Sequence, residues 1–126
     1  MSAEELCKSH GIPICYFEGD VIERDGFYNP HFNAIAINSK LEGIHKDKVI
    51  YHEFGHKEHT ENYYKFNKEK AELQADRCMI HHLLKEELSY WDNIEDFNYL
   101  KFMESYELTT LVDEVMVKEE FFNLID

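Results

Sequence analysis

No stretch of this chain approaches eighteen consecutive apolar residues, so the sequence holds no candidate for a membrane-spanning helix. The opening residues, MSAEELCKSHGIP, have neither the basic start nor the apolar centre of a secretory signal, and the cytoplasm is the default expectation. Cysteine is scarce. Cys7, Cys15 and Cys78 form no CxxC and cannot all pair with one another, which argues for reduced, packed thiols and against a disulfide framework. Basic residues are half as numerous as acidic ones, 13 against 26, and the formal net charge is −13. The short runs HKDK and KFNKEK are diluted by acids, and a nucleic-acid binder needs a basic patch, so direct contact with nucleic acid is not expected. The acidity suits a basic protein partner, a class that includes DNA-binding proteins, and equally suits plain solubility. Repeats, low-complexity tracts and linkers are missing as well.

What is present is enough to fold. At 126 residues, 44% hydrophobic and 14% aromatic, the chain fits a single domain over residues 1–126 with one modest core. Residues 2–10 read as a short helix, with Ser2 as cap, Glu5 at the capping-box position and Gly11 as the stop. IPICYFE and NAIAINSKL read as strands. Turn signals at Gly19-Asp20, Asp25-Gly26 and Asn29-Pro30 lie between them, with Asp25-Gly26 as the hairpin cue. Residues 14–38 are therefore expected to form a small antiparallel sheet. From residue 46 the apolar period becomes helical, giving a helix over roughly 46–60 that Gly55 weakens, a connection at 61–67, and a second helix from about Lys68 to Leu88. Two further helices follow, the first capped by Asp92 or Asp96. The expected class is α+β: a small N-terminal antiparallel sheet on a helical core of four to five helices.

Residues 49–60, VIYHEFGHKEHT, carry the chemistry. On a helix, positions i and i+4 share a face, so His52 and His56 can aim ring nitrogens at one ion at roughly 2.0–2.1 Å. Glu53, one residue on, can take a proton from the attacking water without being an in-line ligand. Two neutral imidazoles, a Lewis-acid zinc and a carboxylate base are what metal-assisted hydrolysis requires. With 8 His and 18 Glu, an accidental HExxH arises in roughly one such chain in fifteen. The apolar Val49 and Ile50 before it and the uncharged Phe54-Gly55 within it raise the match above that level.

A catalytic zinc takes a third protein ligand and keeps one position open. His59 shares the face of His52 but lies about 10 Å further along the helix, too far to share the ion. Asn62 stands where the metzincin continuation would need histidine. His81 and His82 suit a rim or core position. The segment AELQAD remains, with Glu72 and Asp76 again four apart. Glu72 can ligate from the second helix, and Asp76 can accept the free N–H of a ligating histidine and fix its tautomer.

HEFGH followed by KAELQADRCMIHHLL resembles the ImmA/IrrE family of bacterial and phage metallopeptidases, which reads HExxH, then ExxAN or ExxAD, then an apolar pair and LL. The strand AIAIN before the first helix adds to the likeness, which covers about residues 30–88. Asp76 stands where many members have Asn, and Cys78 where many have Phe. The resemblance implies a zincin-like domain in which His52, His56 and Glu72 hold Zn2+ and Glu53 is the catalytic base. It further implies an endopeptidase that cleaves or inactivates a Cro/cI-type helix-turn-helix repressor and so induces prophage or mobile-element genes. The alternative is an antirepressor that sequesters its target without cutting it, with a structural or vestigial zinc.

An extended substrate can add to a sheet edge, and Asn33, Ala34, Ile35 and Ala36, just before the zinc helix, are the expected edge. Tyr28, His31, Tyr63 and Tyr64 are the candidates for stabilising the oxyanion. The aromatic-rich tail suits core packing, or docking of the repressor or another subunit.

Overall fold

The computed structural model describes residues 2–20 and 23–126. Val21 and Ile22, in the turn-rich stretch after Gly19-Asp20, lie outside the described residues. The chain divides into two compact units, Met1–Met79 and Ile80–Asp126.

The first unit opens with helix α1 (Ala3–Ser9), whose start is set by Ser2: its hydroxyl accepts the backbone N–H of Glu5 at 3.1 Å. Strands β1 (Ile14–Phe17), β2 (Gly26–Asn29) and β3 (Ala34–Asn38) follow. The sheet order is β1-β3-β2, with β3 antiparallel to β2 but parallel to β1. The α+β class therefore holds, while the sheet is mixed and not wholly antiparallel. Ile35 and Ile37 are fully buried, and this apolar run takes the middle, where both edges of a strand are paired. The β2–β3 turn falls at Asn29-Pro30, not at Asp25-Gly26. The Asn29 side chain accepts the N–H groups of His31 and Phe32, and Asn33 takes the left-handed conformation at φ 49°.

Helices α2 (Gly43–Phe54), α3 (Glu61–Phe66) and α4 (Lys68–Leu88) complete the first unit, and α4 runs on across the boundary into the second. Residues 61–67, expected as a plain connection, are mostly helical, because the Thr60 hydroxyl caps α3 by accepting the Tyr63 N–H at 3.0 Å. Ile50, Tyr51 and Phe54 of α2 are buried, as are Ile35 and Ile37 of β3 and Ala71 and Ala75 of α4. At about 25 cal/mol per Å2 of apolar area, such burial is the main force holding these elements.

The second unit holds a short 3-10 turn (Ile94–Asp96), α5 (Tyr99–Ser105) and α6 (Leu111–Ile125), which brings the α-helices among the described residues to six. Asn98, not Asp92 or Asp96, caps α5. Thr110 and Asp113 form a reciprocal capping box on α6. Leu83, Leu84, Phe102, Met116 and Val117 are buried there. No helix among the described residues is long and apolar enough to cross a membrane. All three cysteines are free. Cys7 is buried, Cys78 is half-buried, and Cys15 is exposed, contrary to the expected packing.

Candidate metal centre

Helix α2 ends at Phe54, short of the expected residue 60. After it the chain tightens into i→i−3 turns: the His56 N–H donates to the Glu53 carbonyl at 3.0 Å, and the His59 N–H donates to the His56 carbonyl at 2.9 Å. Gly55 keeps a helical backbone conformation, and its lack of a Cβ permits close packing on α4. A Cβ on it would sit 2.8 Å from the Ala75 Cα and 3.0 Å from the Cys78 Cβ, so the α2 terminus meets α4 at a distance only glycine permits. The helical conformation of Gly55 keeps His52 and His56 on one side, with their Nε2 atoms 3.3 Å apart.

Helix α4 supplies the carboxylates. Glu72 and Asp76 each follow a buried alanine, Ala71 and Ala75, by one residue, which sets both acids at the margin of the packed face. The Glu72 Oε2 lies 2.9 Å from His52 Nε2, and its Oε1 lies 3.5 Å from His56 Nε2. Asp76 Oδ1 meets the other nitrogen of His52, Nδ1, at 2.8 Å. Contacts along the two elements run in opposite senses, His52 to Asp76 and His56 to Glu72, as antiparallel packing requires. The Tyr64 hydroxyl of α3 donates to Glu72 Oε1 at 2.7 Å, the oxygen that also faces His56.

These separations suit a small tetrahedral cation. Donors about 2.0–2.1 Å from a common centre lie about 3.3 Å apart, which is the separation of the two Nε2 atoms, and the Glu72 carboxylate reaches one of them with Oε2 at 2.9 Å and the other with Oε1 at 3.5 Å. His52, Glu53 and His56 also form a cluster whose donor atoms all lie within 4.8 Å of one another. Glu53 and Glu72 thus both approach the imidazoles. Each Glu72 oxygen lies within 3.5 Å of an Nε2 atom, and the Glu53 carboxylate lies in the same cluster.

Electrostatics divides the groups into ligand-like and base-like. Burial lowers the His56 pKa, which keeps that imidazole neutral. Burial pushes His52 the same way, but its hydrogen bond to Asp76 and the charges of Glu53, Asp76 and Glu72 outweigh it, and the net shift is upward. For Glu72 burial alone would raise the pKa; the Tyr64 hydroxyl and the two histidines reverse this and keep it ionised. Glu53 is different. Burial, opposed by the charge of His52 and reinforced by that of Glu72, raises its carboxyl to about 7, and its Oε2 is buried without a hydrogen-bond partner. A carboxyl held near neutrality in a cleft has the proton affinity of a general base.

The cleft beside Glu53 has a volume of about 500 Å3, and Phe27, Tyr28, Tyr64 and Arg24 line it. Arg24 went unmarked in the sequence reading. It lies just before β2, in ERDGFY, and one of only two arginines next to a strand was the available signal. The expected substrate edge needs correcting. Asn33, Ala34, Ile35 and Ala36 are not at an edge, because residues 34–36 belong to β3, which is paired on both sides. Among the described residues the sheet edge at the cleft is β2, which contributes Phe27 and Tyr28. Of the four oxyanion candidates, Tyr28 and Tyr64 line the cleft; Tyr63 stacks on His59, and His31 packs edge-on against Phe32. His81 pairs with Glu120 at 3.0 Å in the second unit.

A mixed sheet carrying a helix with HExxH, answered by a glutamate from a second helix, defines a metallopeptidase-type domain. The family model described as the IrrE N-terminal-like domain, a peptidase family, matches residues 7–120, and the chain belongs to that family. No curated protein and no solved structure gave a match.

Proposed function

We propose that the chain is a zinc-dependent, site-specific endopeptidase in which His52, His56 and Glu72 hold the metal and Glu53 is the general base. The observation that carries this reading is the convergence of two Nε2 atoms and one carboxylate within 3.5 Å, beside a buried carboxyl with an unpartnered oxygen. When bound, zinc would supply Lewis-acid polarisation of a peptide carbonyl and acidify water. Glu53 takes a proton from the attacking water and returns it to the leaving amine. Asp76 orients His52, and Tyr64 orients Glu72. Tyr64 is kept protonated, its pKa pushed up to about 12 by donating to Glu72, and with that one proton committed Arg24 is the cationic donor at the cleft for charge developing on the substrate carbonyl. An extended peptide would lie along β2.

The substrate we propose is a Cro/cI-type helix-turn-helix repressor, on the strength of the resemblance in the HEFGH and AELQAD segments; the net charge of −13 is consistent with a basic partner. The test is incubation with candidate repressors, with and without chelator, followed by mass measurement of fragments. Glu53→Gln is expected to retain zinc and to lose cleavage by about 10^2–10^4-fold. Full target inactivation by Glu53→Gln, without fragments, would replace hydrolysis with sequestration.

A further inference from the structure

Behind the second histidine stands a chain of side chains that the proposed mechanism does not use. His56 Nδ1 lies 2.9 Å from His59 Nδ1, and the far nitrogen of His59, Nε2, lies 2.7 Å from Gln74 Oε1. The His59 ring is held flat against Tyr63, with centroids 5.2 Å apart and planes 9° apart. The Tyr63 hydroxyl also reaches Gln74 Oε1, at 3.4 Å. The arrangement runs from the candidate metal centre, through two imidazoles, to an exposed amide on α4.

Between two facing Nδ1 atoms only one proton fits. If His56 carries it, His56 donates to His59, and the His56 Nε2 lone pair is free for a cation. His59 then bears its own proton on Nε2 and donates it to the Gln74 carbonyl. In the reverse arrangement His56 Nε2 carries the proton, and the His59 Nε2 lone pair confronts the Gln74 carbonyl oxygen at 2.7 Å, acceptor against acceptor. With Gln74 Oε1 facing His59, an orientation that also lets it accept the Tyr63 hydroxyl, the relay selects the tautomer of His56 that can bind metal. His52 receives the same service from Asp76, an anion; His56 receives it from a neutral relay.

We propose that His59 and Gln74 are positioning residues for the metal centre, setting the tautomer and ring orientation of His56. This rests on the reading of His52, His56 and Glu72 as ligands. It makes the histidine that was set aside as too distant to be a ligand a partner of one. It also accounts for the capped α3, whose Tyr63 supplies the stacking surface that fixes the His59 plane.

The experiment is a competitive zinc titration at fixed pH against a chromophoric chelator, repeated with cobalt to read the visible absorption of the site. His59→Phe keeps the ring against Tyr63 and removes both nitrogens. Its affinity is expected to fall about 10–100-fold, with an altered cobalt spectrum. His59→Asn places an amide oxygen near the position of Nδ1 and is expected to restore most of the affinity and the wild-type spectrum. Gln74 is exposed, so Gln74→Glu and Gln74→Leu are expected to fold normally. The carboxylate, which can only accept, is expected to bind zinc at least as tightly as wild type, and the leucine more weakly. Unchanged affinity in both His59→Phe and Gln74→Leu would overturn this inference alone. Equal losses in His59→Phe and His59→Asn would also overturn it, since bulk rather than hydrogen bonding would then be at work. Absence of zinc binding in the wild type, or binding undiminished in His52→Ala, would overturn the ligand reading and this inference with it.

Discussion

Glu53 is the residue at which folding and chemistry pull against each other. Its carboxyl has an ordinary pKa of 4.5 and one of about 7 in the folded, metal-free chain, raised chiefly by burial. Between those values the folded state holds more protons than the unfolded one, so this contribution is fully present below pH 4.5 and is lost as pH rises through 7. The shift corresponds to about 3 kcal/mol. Urea unfolding of chelator-treated protein at pH 5 and pH 8 is expected to show the wild type losing more stability than Glu53→Gln over that interval; parallel losses would contradict the burial argument. At the same scale, Asp76→Ala is expected to weaken zinc binding about 10–100-fold, because it removes the acceptor on His52 Nδ1, and titration calorimetry reads this directly. The proximity of His52 to His56, and of Glu72 and Asp76 to these histidines, was legible in the sequence because i, i+4 spacing survives in three dimensions. Arg24 was not, because a single cation before a strand has no period to betray it.

Among the elements, the end of α2 decides whether the two histidines and Glu72 meet. The gap between Gly55 and Ala75 leaves no room for a methyl group. Gly55→Ala is expected to cost about 1–3 kcal/mol in denaturant unfolding, as overpacked sites do, and to weaken metal binding because α4 must retreat. Unchanged stability together with unchanged zinc affinity would contradict that packing. Thr60→Ala should cost about 1 kcal/mol through loss of the α3 cap. The N-terminal cap at Ser2 could be read locally, since a side chain bonds a backbone group three residues away. The need for glycine at 55 could not, because the neighbour that requires it lies twenty residues on. The sheet order escaped for a related reason: sequential strands were read as neighbours, whereas the solid apolar run Ala34–Ile37 takes the centre and sends β1 to the far side, parallel to it.

For the molecule as a whole, a site assembled from α2 and α4 exists only in the folded state, so metal binding and folding are coupled. Zinc at a hundred times its dissociation constant is expected to add about 2.7 kcal/mol to stability, seen as a rise in the thermal midpoint that His52→Ala abolishes. The charge of −13 predicts that association with a basic partner weakens as salt rises, which binding measurements at two ionic strengths would show. Family and α+β class were legible from HEFGH, AELQAD and the strand before them. The cleft was not, since its walls come from β2 and α3, segments without a shared pattern. The most direct measurement is anomalous diffraction at the zinc edge from zinc-loaded crystals. The expected result is one peak bonded to His52 Nε2, His56 Nε2 and a Glu72 oxygen, with Glu53 outside the ligand set. A peak elsewhere, or a Glu72 carboxylate turned away from both imidazoles with zinc present, would contradict the account.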